Sequence, residues 1–131
     1  MIHLDTNYLI GLLVKGCPQA QNVDGWPGVG QTVAASAVAW TEFLNGPVTP
    51  LEVGRAEAVL QARIVAFGRP EAVLAADLFN KTGRRRGSRL DCLIAATAIV
   101  AQAELATANQ SDFKLSVPHG LKLAAALTPP P

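Results

Sequence analysis

The stretch Met1-Ile2-His3-Leu4-Asp5-Thr6-Asn7 constrains the fold more than any other part of the chain. A short apolar run ends on a carboxylate, and two small polar residues follow at once. Helical spacing then takes over, with Tyr8, Leu9, Leu12 and Leu13 on one face. This pattern predicts an inner strand feeding directly into an amphipathic helix, with Thr6 or Asn7 as the helix cap. Asp5 is thereby delivered to the carboxyl edge of a sheet, where open α/β folds form their crevices. At this point Asp5 has two readings, a turn or cap residue and an acid of a site.

The remaining elements follow in order. Lys15 to Gln31 is rich in glycine and proline (Gly16, Pro18, Gly25, Pro27, Gly28, Gly30) and reads as a long surface loop, with Trp26 as a lid on the local core. Thr32 to Ala35 reads as a second strand. Ser36 is placed to cap a helix through Val38, Trp40 and Phe43 that stops at Gly46-Pro47. Glu42 lies close to the apolar face of that helix, where a carboxylate is costly unless it is paired, hydrogen-bonded or liganded; the solvent side is the alternative. Thr49-Pro50 opens a helix expected to run to Phe67 and end at Gly68, and Arg69-Pro70 opens another ending near Thr82-Gly83. The two read as a helical hairpin that serves packing or a partner.

The chain's charge is concentrated next. Its eleven Lys and Arg nearly balance ten Asp and Glu, for a net charge of +1, so placement matters more than the sum. Arg84, Arg85, Arg86 and Arg89 form a cluster just ahead of Asp91. The most apolar segment follows, Leu93 to Val100, which shows no alternation and reads as a buried helix with Ser88 as its cap. The helix dipole alone would account for an acid at Asp91. Glu104 to Thr107 is a short strand delivering Asn109 and Asp112 to a loop, while Phe113 plugs the core. Leu115 to Val117 reads as an apolar link and Leu121 to Leu123 as an edge strand.

The remaining chemistry-bearing side chains carry less. His3 reads as a strand residue with a satisfied ring, His119 as a turn residue, Cys92 as a small buried hydrophobe and Cys17 as a loop cysteine. Two cysteines so placed make neither a disulfide framework nor a zinc site. At 131 residues, half of them apolar, a single domain over residues 1–127 is expected, with a disordered proline-rich tail at 128–131. No apolar run reaches membrane-spanning length, and a soluble cytoplasmic protein is expected.

Four acids thus stand apart: Asp5, Glu42, Asp91 and Asp112. Their placements are each compatible with one edge of a parallel sheet. Brought together, they would raise one another's pKa unless a cation intervened. Oxygen-only ligation suits Mg²⁺, with Mn²⁺ as a substitute, and a carboxylate cluster beside arginines suits phosphodiesters.

Four segments carry a family resemblance: Leu4-Asp5-Thr6-Asn7, Ser36 through Trp40-Thr41-Glu42-Phe43 to Gly46, Asp91 to Ala98, and Thr107-Ala108-Asn109-Gln110-Ser111-Asp112-Phe113. In this order they resemble a PIN domain, and within that group the VapC toxins of toxin–antitoxin pairs. The resemblance implies a three-layer α/β/α sandwich on a mostly parallel sheet. It also implies Mg²⁺-dependent endoribonuclease activity on structured RNA such as tRNA, a homodimer, and a VapB-type antitoxin that forms a larger hetero-oligomer with it. Asp5, Glu42, Asp91 and Asp112 match the family's catalytic and metal-holding acids, and Thr6 and Asn109 its supporting polar positions. The arginines are expected to track the RNA backbone. Two other readings stand beside this one: a PIN-like RNA or single-stranded DNA processing nuclease without a toxin role, and a metal-free protein-interaction domain.

Overall fold

A computed structural model describes residues 1–127; the proline-rich tail expected at 128–131 lies outside the described residues. Strands β1 (Ile2–Leu4), β2 (Val33–Ser36), β3 (Ile64–Val65) and β4 (Glu104–Ala106) form one sheet. Helices α1 (Thr6–Gly11), α2 (Pro18–Gly25), α3 (Ala37–Asn45), α4 (Pro50–Leu60), α5 (Arg69–Lys81), α6 (Arg89–Val100) and α7 (Gln110–Phe113) complete the α/β/α sandwich. The sheet order is β3-β2-β1-β4 and every pairing is parallel. The first strand is therefore central, with Ile2 opposite Val33 on one side and Glu104 on the other. Covered on both faces, it buries Ile2, His3 and Leu4 alike, with no alternation of exposure along the strand. The chain winds outward from β1 through β2 to β3, then returns to lay β4 on the opposite side. The reversal falls between β1 and β4, and the crevice beyond their carboxyl ends is the expected place for a site.

Several elements depart from the sequence reading. Lys15–Gln31 is not an open loop: it holds α2 and a 3₁₀ turn over Trp26–Val29. Pro18 sits at the start of α2, where its missing N–H costs nothing, and Cys17 is the cap, its Sγ accepting from Ala20 N at 3.5 Å. Trp26 is buried and stacks on Tyr8 with ring centroids 5.7 Å apart, as the lid reading expected.

The helix from Pro50 does not reach Phe67. Gln61 and Ala62 take φ of 49° and 59°, and the chain turns there into β3. With β3 between them, α4 and α5 do not make the expected hairpin; α4 packs on β2 and α5 on α6. The start of α4 follows expectation, since Thr49 and Glu52 form a reciprocal capping box. Ser36 caps α3 through a bond from Ala39 N. Ser88 stands at the start of α6 but its hydroxyl donates instead to Arg85 O, so it makes no side-chain cap. The segment around Asp112 is the short helix α7, and Leu115–Val117 lies in a 3₁₀ turn (Lys114–His119). Beyond it, Leu123 bridges Leu105 in parallel, where an edge strand was expected.

The core runs through Leu4, Leu9, Phe43, Leu78, Ile94 and Phe113, each essentially inaccessible. His3 is equally buried, but neither ring nitrogen has a hydrogen-bond partner, so the satisfied ring expected from sequence is not found. Among the described residues, no helix is long and apolar enough to cross a membrane.

Candidate active site

The acids converge at the sheet's carboxyl edge. Asp5 ends β1, is 5% exposed, and is itself the cap of α1, a role the sequence reading gave to Thr6 or Asn7. Its Oδ1 accepts from the Thr6 backbone N–H at 2.8 Å. Its Oδ2 accepts from Thr107 Oγ1 at 2.8 Å and from Asn7 Nδ2 at 3.2 Å. Burial raises the Asp5 pKa, Asp112 adds to the rise, and the three hydrogen bonds oppose it.

Asn7 does more than hold the carboxylate. Its Nδ2 also lies 3.4 Å from Thr107 Oγ1, and its Oδ1 accepts from Ala108 N at 3.0 Å. The β1–α1 junction is thus clamped to the segment leaving β4. Thr6 works on another neighbour: its Oγ1 donates to Glu42 Oε1 at 2.9 Å, tying α1 to α3. Glu42 therefore lies on the inward side of its helix, half-buried, and not in open solvent.

Asp91 sits in the first turn of α6, half-buried. Its pKa is pushed up to about 6, by burial first and then by the negative charges of Asp5, Asp112 and Glu42, with Arg85 pulling the other way. A dipole contact at a helix start lowers a carboxyl pKa. Asp91 does occupy the first turn of α6, but burial and then the like charges of the other three acids outweigh any lowering from the dipole. Asp91 is close enough to feel the other three acids, and Asp5 to feel Asp112.

A family model described as PIN domain matches residues 2–115. The chain belongs to the PIN domain family. Solved structures of similar shape include FitAcB from Neisseria gonorrhoeae, at 20% identity and a TM-score of 0.71, covering 96% of this chain and 98% of that one. A toxin–antitoxin complex from Klebsiella pneumoniae matches at 26% identity and 0.69, over 86% and 90% of the two chains. VapBC2 from Rickettsia felis, bound to a promoter DNA fragment, matches at 25% and 0.68, over 95% and 98%. No curated protein sequence matches the chain.

Within this PIN domain the donor set is carboxylate oxygen throughout, the hard chemistry that Mg²⁺ prefers. Among the described residues, no three Asp, Glu, His or Cys side chains are already closed on a single point. The fit to a cation thus rests on donor chemistry and on the mutual repulsion seen at Asp91, which a cation would relieve.

Two residues of the site escaped the sequence reading. Thr107 and Asn7 supply both side-chain donors to Asp5, yet the sequence reads Asn7 only as a candidate helix cap and Thr107 only as the end of a strand. The available signal was that both follow closely on the carboxyl ends of strands, Asn7 in the first turn of α1 and Thr107 directly after β4, within the two outer motif segments. Asn109, singled out for support, contributes its backbone N–H to Thr107 Oγ1 at 3.0 Å, while its side chain makes no capping bond and is exposed. The arginines divide. Arg85 acts on Asp91, Arg84 and Arg89 lie over the Phe79 ring at 5.3 and 4.5 Å, and Arg86 is exposed.

Proposed function

We propose that the chain is a Mg²⁺-dependent endoribonuclease that acts as a toxin and is restrained by a VapB-type antitoxin. The observation that carries the proposal is the gathering of carboxylates at the switch point of the sheet, where Asp91, half-buried in the first turn of α6, feels the charges of Asp5, Asp112 and Glu42. Membership of the PIN domain family supports a nuclease, and similarity to the toxin–antitoxin complex from Klebsiella pneumoniae supports the restraining partner.

Asp5, Asp91 and Glu42 would hold the ion, with Asp112 completing or tuning the site. When bound, Mg²⁺ supplies an acidified water and neutralises charge developing on the phosphodiester. The chain's own residues do the positioning. Thr6 N–H, Thr107 and Asn7 saturate much of Asp5 and fix its rotamer, and Thr6 Oγ1 does the same for Glu42. Arg85, whose charge is felt at Asp91, would meet the phosphate, and Arg84, Arg86 and Arg89 would meet its neighbours on the backbone. Structured RNA such as tRNA is the proposed substrate, and Asn109 is proposed to orient it or a water at the rim.

Sequencing of RNA ends after brief induction in cells, with Asp5→Asn as control, tests the proposal. Discrete cuts bearing 5′-phosphate and 3′-hydroxyl ends, absent in the control, are expected. The same cuts with Asp5→Asn, or none with wild type freed of its partner, would overturn it. A small antitoxin gene beside this one is expected if the toxin role holds.

A further inference from the structure

A cavity of about 480 Å³ lies between α5 and α6, outside the hydrogen-bonded acid network. That is within the roughly 300–1,000 Å³ range of small-ligand sites. Its walls are apolar and include small residues, with Phe67, Ala72, Ala76 and Phe79 among them, and Arg84 and Arg89 also line it. Both guanidinium groups rest on the same aromatic ring, Phe79. Arg84 is fixed there by more than its side chain. Its N–H donates to Phe79 O at 2.9 Å, its backbone takes φ of 52° after Gly83 at 91°, and Asn80 accepts from its guanidinium. A non-glycine residue in the left-handed region costs energy and persists where its surroundings impose it.

These cations have no acidic partner. Among the described residues the sole ion pair joins Lys81 to Asp77. A purely apolar occupant would strip water from two guanidinium groups and return nothing. A ligand that is flat and apolar at its centre and anionic at its edges satisfies both parts of the site.

We propose that this cavity is a nucleobase subsite, taking one unstacked base of a single-stranded RNA segment while Arg84 and Arg89 meet the flanking phosphates. The base stacks on the surface made by Phe79 and the guanidinium planes, the usual way bases are held outside a duplex. Arg89 stands two residues before Asp91 on α6, which turns the two side chains about 200° apart, so the subsite lies around the helix from the acids and holds a nucleotide away from the cut itself. The inference rests on the ribonuclease reading and deepens it, from structured RNA in general to RNA offering an unpaired base within the bound segment.

The test is anisotropy in EDTA, where cleavage is suppressed, with two labelled probes of equal length: a single-stranded oligoadenylate and an abasic ribose-phosphate chain. Wild type should bind the oligoadenylate tighter by at least about tenfold, the step expected of one stacked base. Ala76→Trp, on the exposed side of α5, fills the cavity without changing charge. It should bring the two probes within about threefold of each other while leaving the abasic affinity in place. Arg89→Gln, which spares the cavity's shape, should weaken both probes. Equal wild-type binding of both probes, or an undiminished preference in Ala76→Trp, would overturn the subsite and leave the nuclease reading standing. An undiminished preference together with a changed mass by light scattering would assign the cavity to a protein neighbour. Binding of neither probe by wild type would count against the ribonuclease reading itself.

Discussion

Asp91 carries a cost that the fold tolerates. Its carboxyl group, raised to about 6, is destabilising when ionised in the metal-free protein, because the unfolded chain ionises it more easily. Asp91→Asn removes the charge and little volume. It should raise the melting temperature of metal-free protein by a few degrees, while Mn²⁺ affinity and cleavage fall together. Calorimetric titration and thermal melts in EDTA check both parts; wild-type Mn²⁺ binding by the variant would remove Asp91 from the proposed ligand set. His3 pulls the opposite way in the same pH range. Burial, and then the N-terminal ammonium, push its pKa from 6.5 down to about 4. The unfolded chain takes up that proton first, so stability contributed by neutral His3 is lost as pH falls from 6.5 towards 4. Asp91 protonates over much of that range in the folded state and adds stability as pH falls. His3→Leu should therefore stabilise by about 1 kcal/mol at neutral pH, since two unpartnered buried nitrogens disappear. It should also flatten the acid limb, leaving metal-free protein more stable at about pH 5 than at about pH 7. Urea melts across that pH range read both effects.

At the scale of elements, what the sequence made legible depended on whether backbone conformation was written in side-chain types. Thr49-Pro50 announces a helix start, and Ser36 announces another, because helix starts are built from particular side chains. The end of α4 was hidden because Gln61 and Ala62 turn the chain at positive φ without a glycine or proline to mark it. Helix α2 was hidden for the converse reason: Pro18 and Gly25 look like loop residues but occupy helix ends. In the site, the four acids were legible as charges out of place, whereas Asn7 and Thr107 were not, since a turn and a clamp use the same residue types. The unmarked turn can be tested. Ala62→Gly should stabilise by about 0.5–1 kcal/mol by relieving left-handed strain, and Ala58→Gly inside α4 should destabilise by about 1 kcal/mol. Equal destabilisation by both would place Ala62 in helix after all. The arginine cluster makes a separate prediction. Arg85→Gln with Arg86→Gln in an Asp5→Asn background should flatten the log–log salt dependence of single-stranded RNA binding, by roughly 0.7 for each phosphate that an arginine had neutralised. Mn²⁺ binding should stay nearly intact. An unchanged slope measured across a salt series would make these two arginines solvated surface only.

For the molecule as a whole, the outward faces of α4 and α5 are the unusual surface. Leu51 is 75% exposed and Val73 66%, with Val59 partly exposed on α4. We propose a homodimer through these helices, and light scattering at micromolar concentration should give twice the chain mass. Leu51→Lys with Val73→Lys should return the monomer without unfolding it; a monomer already in wild type would return these side chains to solvent. The sheet order has a consequence of another kind, in the timing of synthesis. Strand β1 is the first to leave the ribosome and the last to be enclosed, for it stays open on one side until β4 arrives. Asp5 waits with it, because the hydroxyl that grips it belongs to Thr107, 102 residues later. Pairing at such sequence separation is slow to form and absent from any shorter nascent chain. Under the proposed ribonuclease activity, a chain active while still attached to translating ribosomes would endanger its own production. Here the acids stay unassembled until nearly the whole domain has been made, and any truncation ahead of β4 leaves a fragment without a finished site.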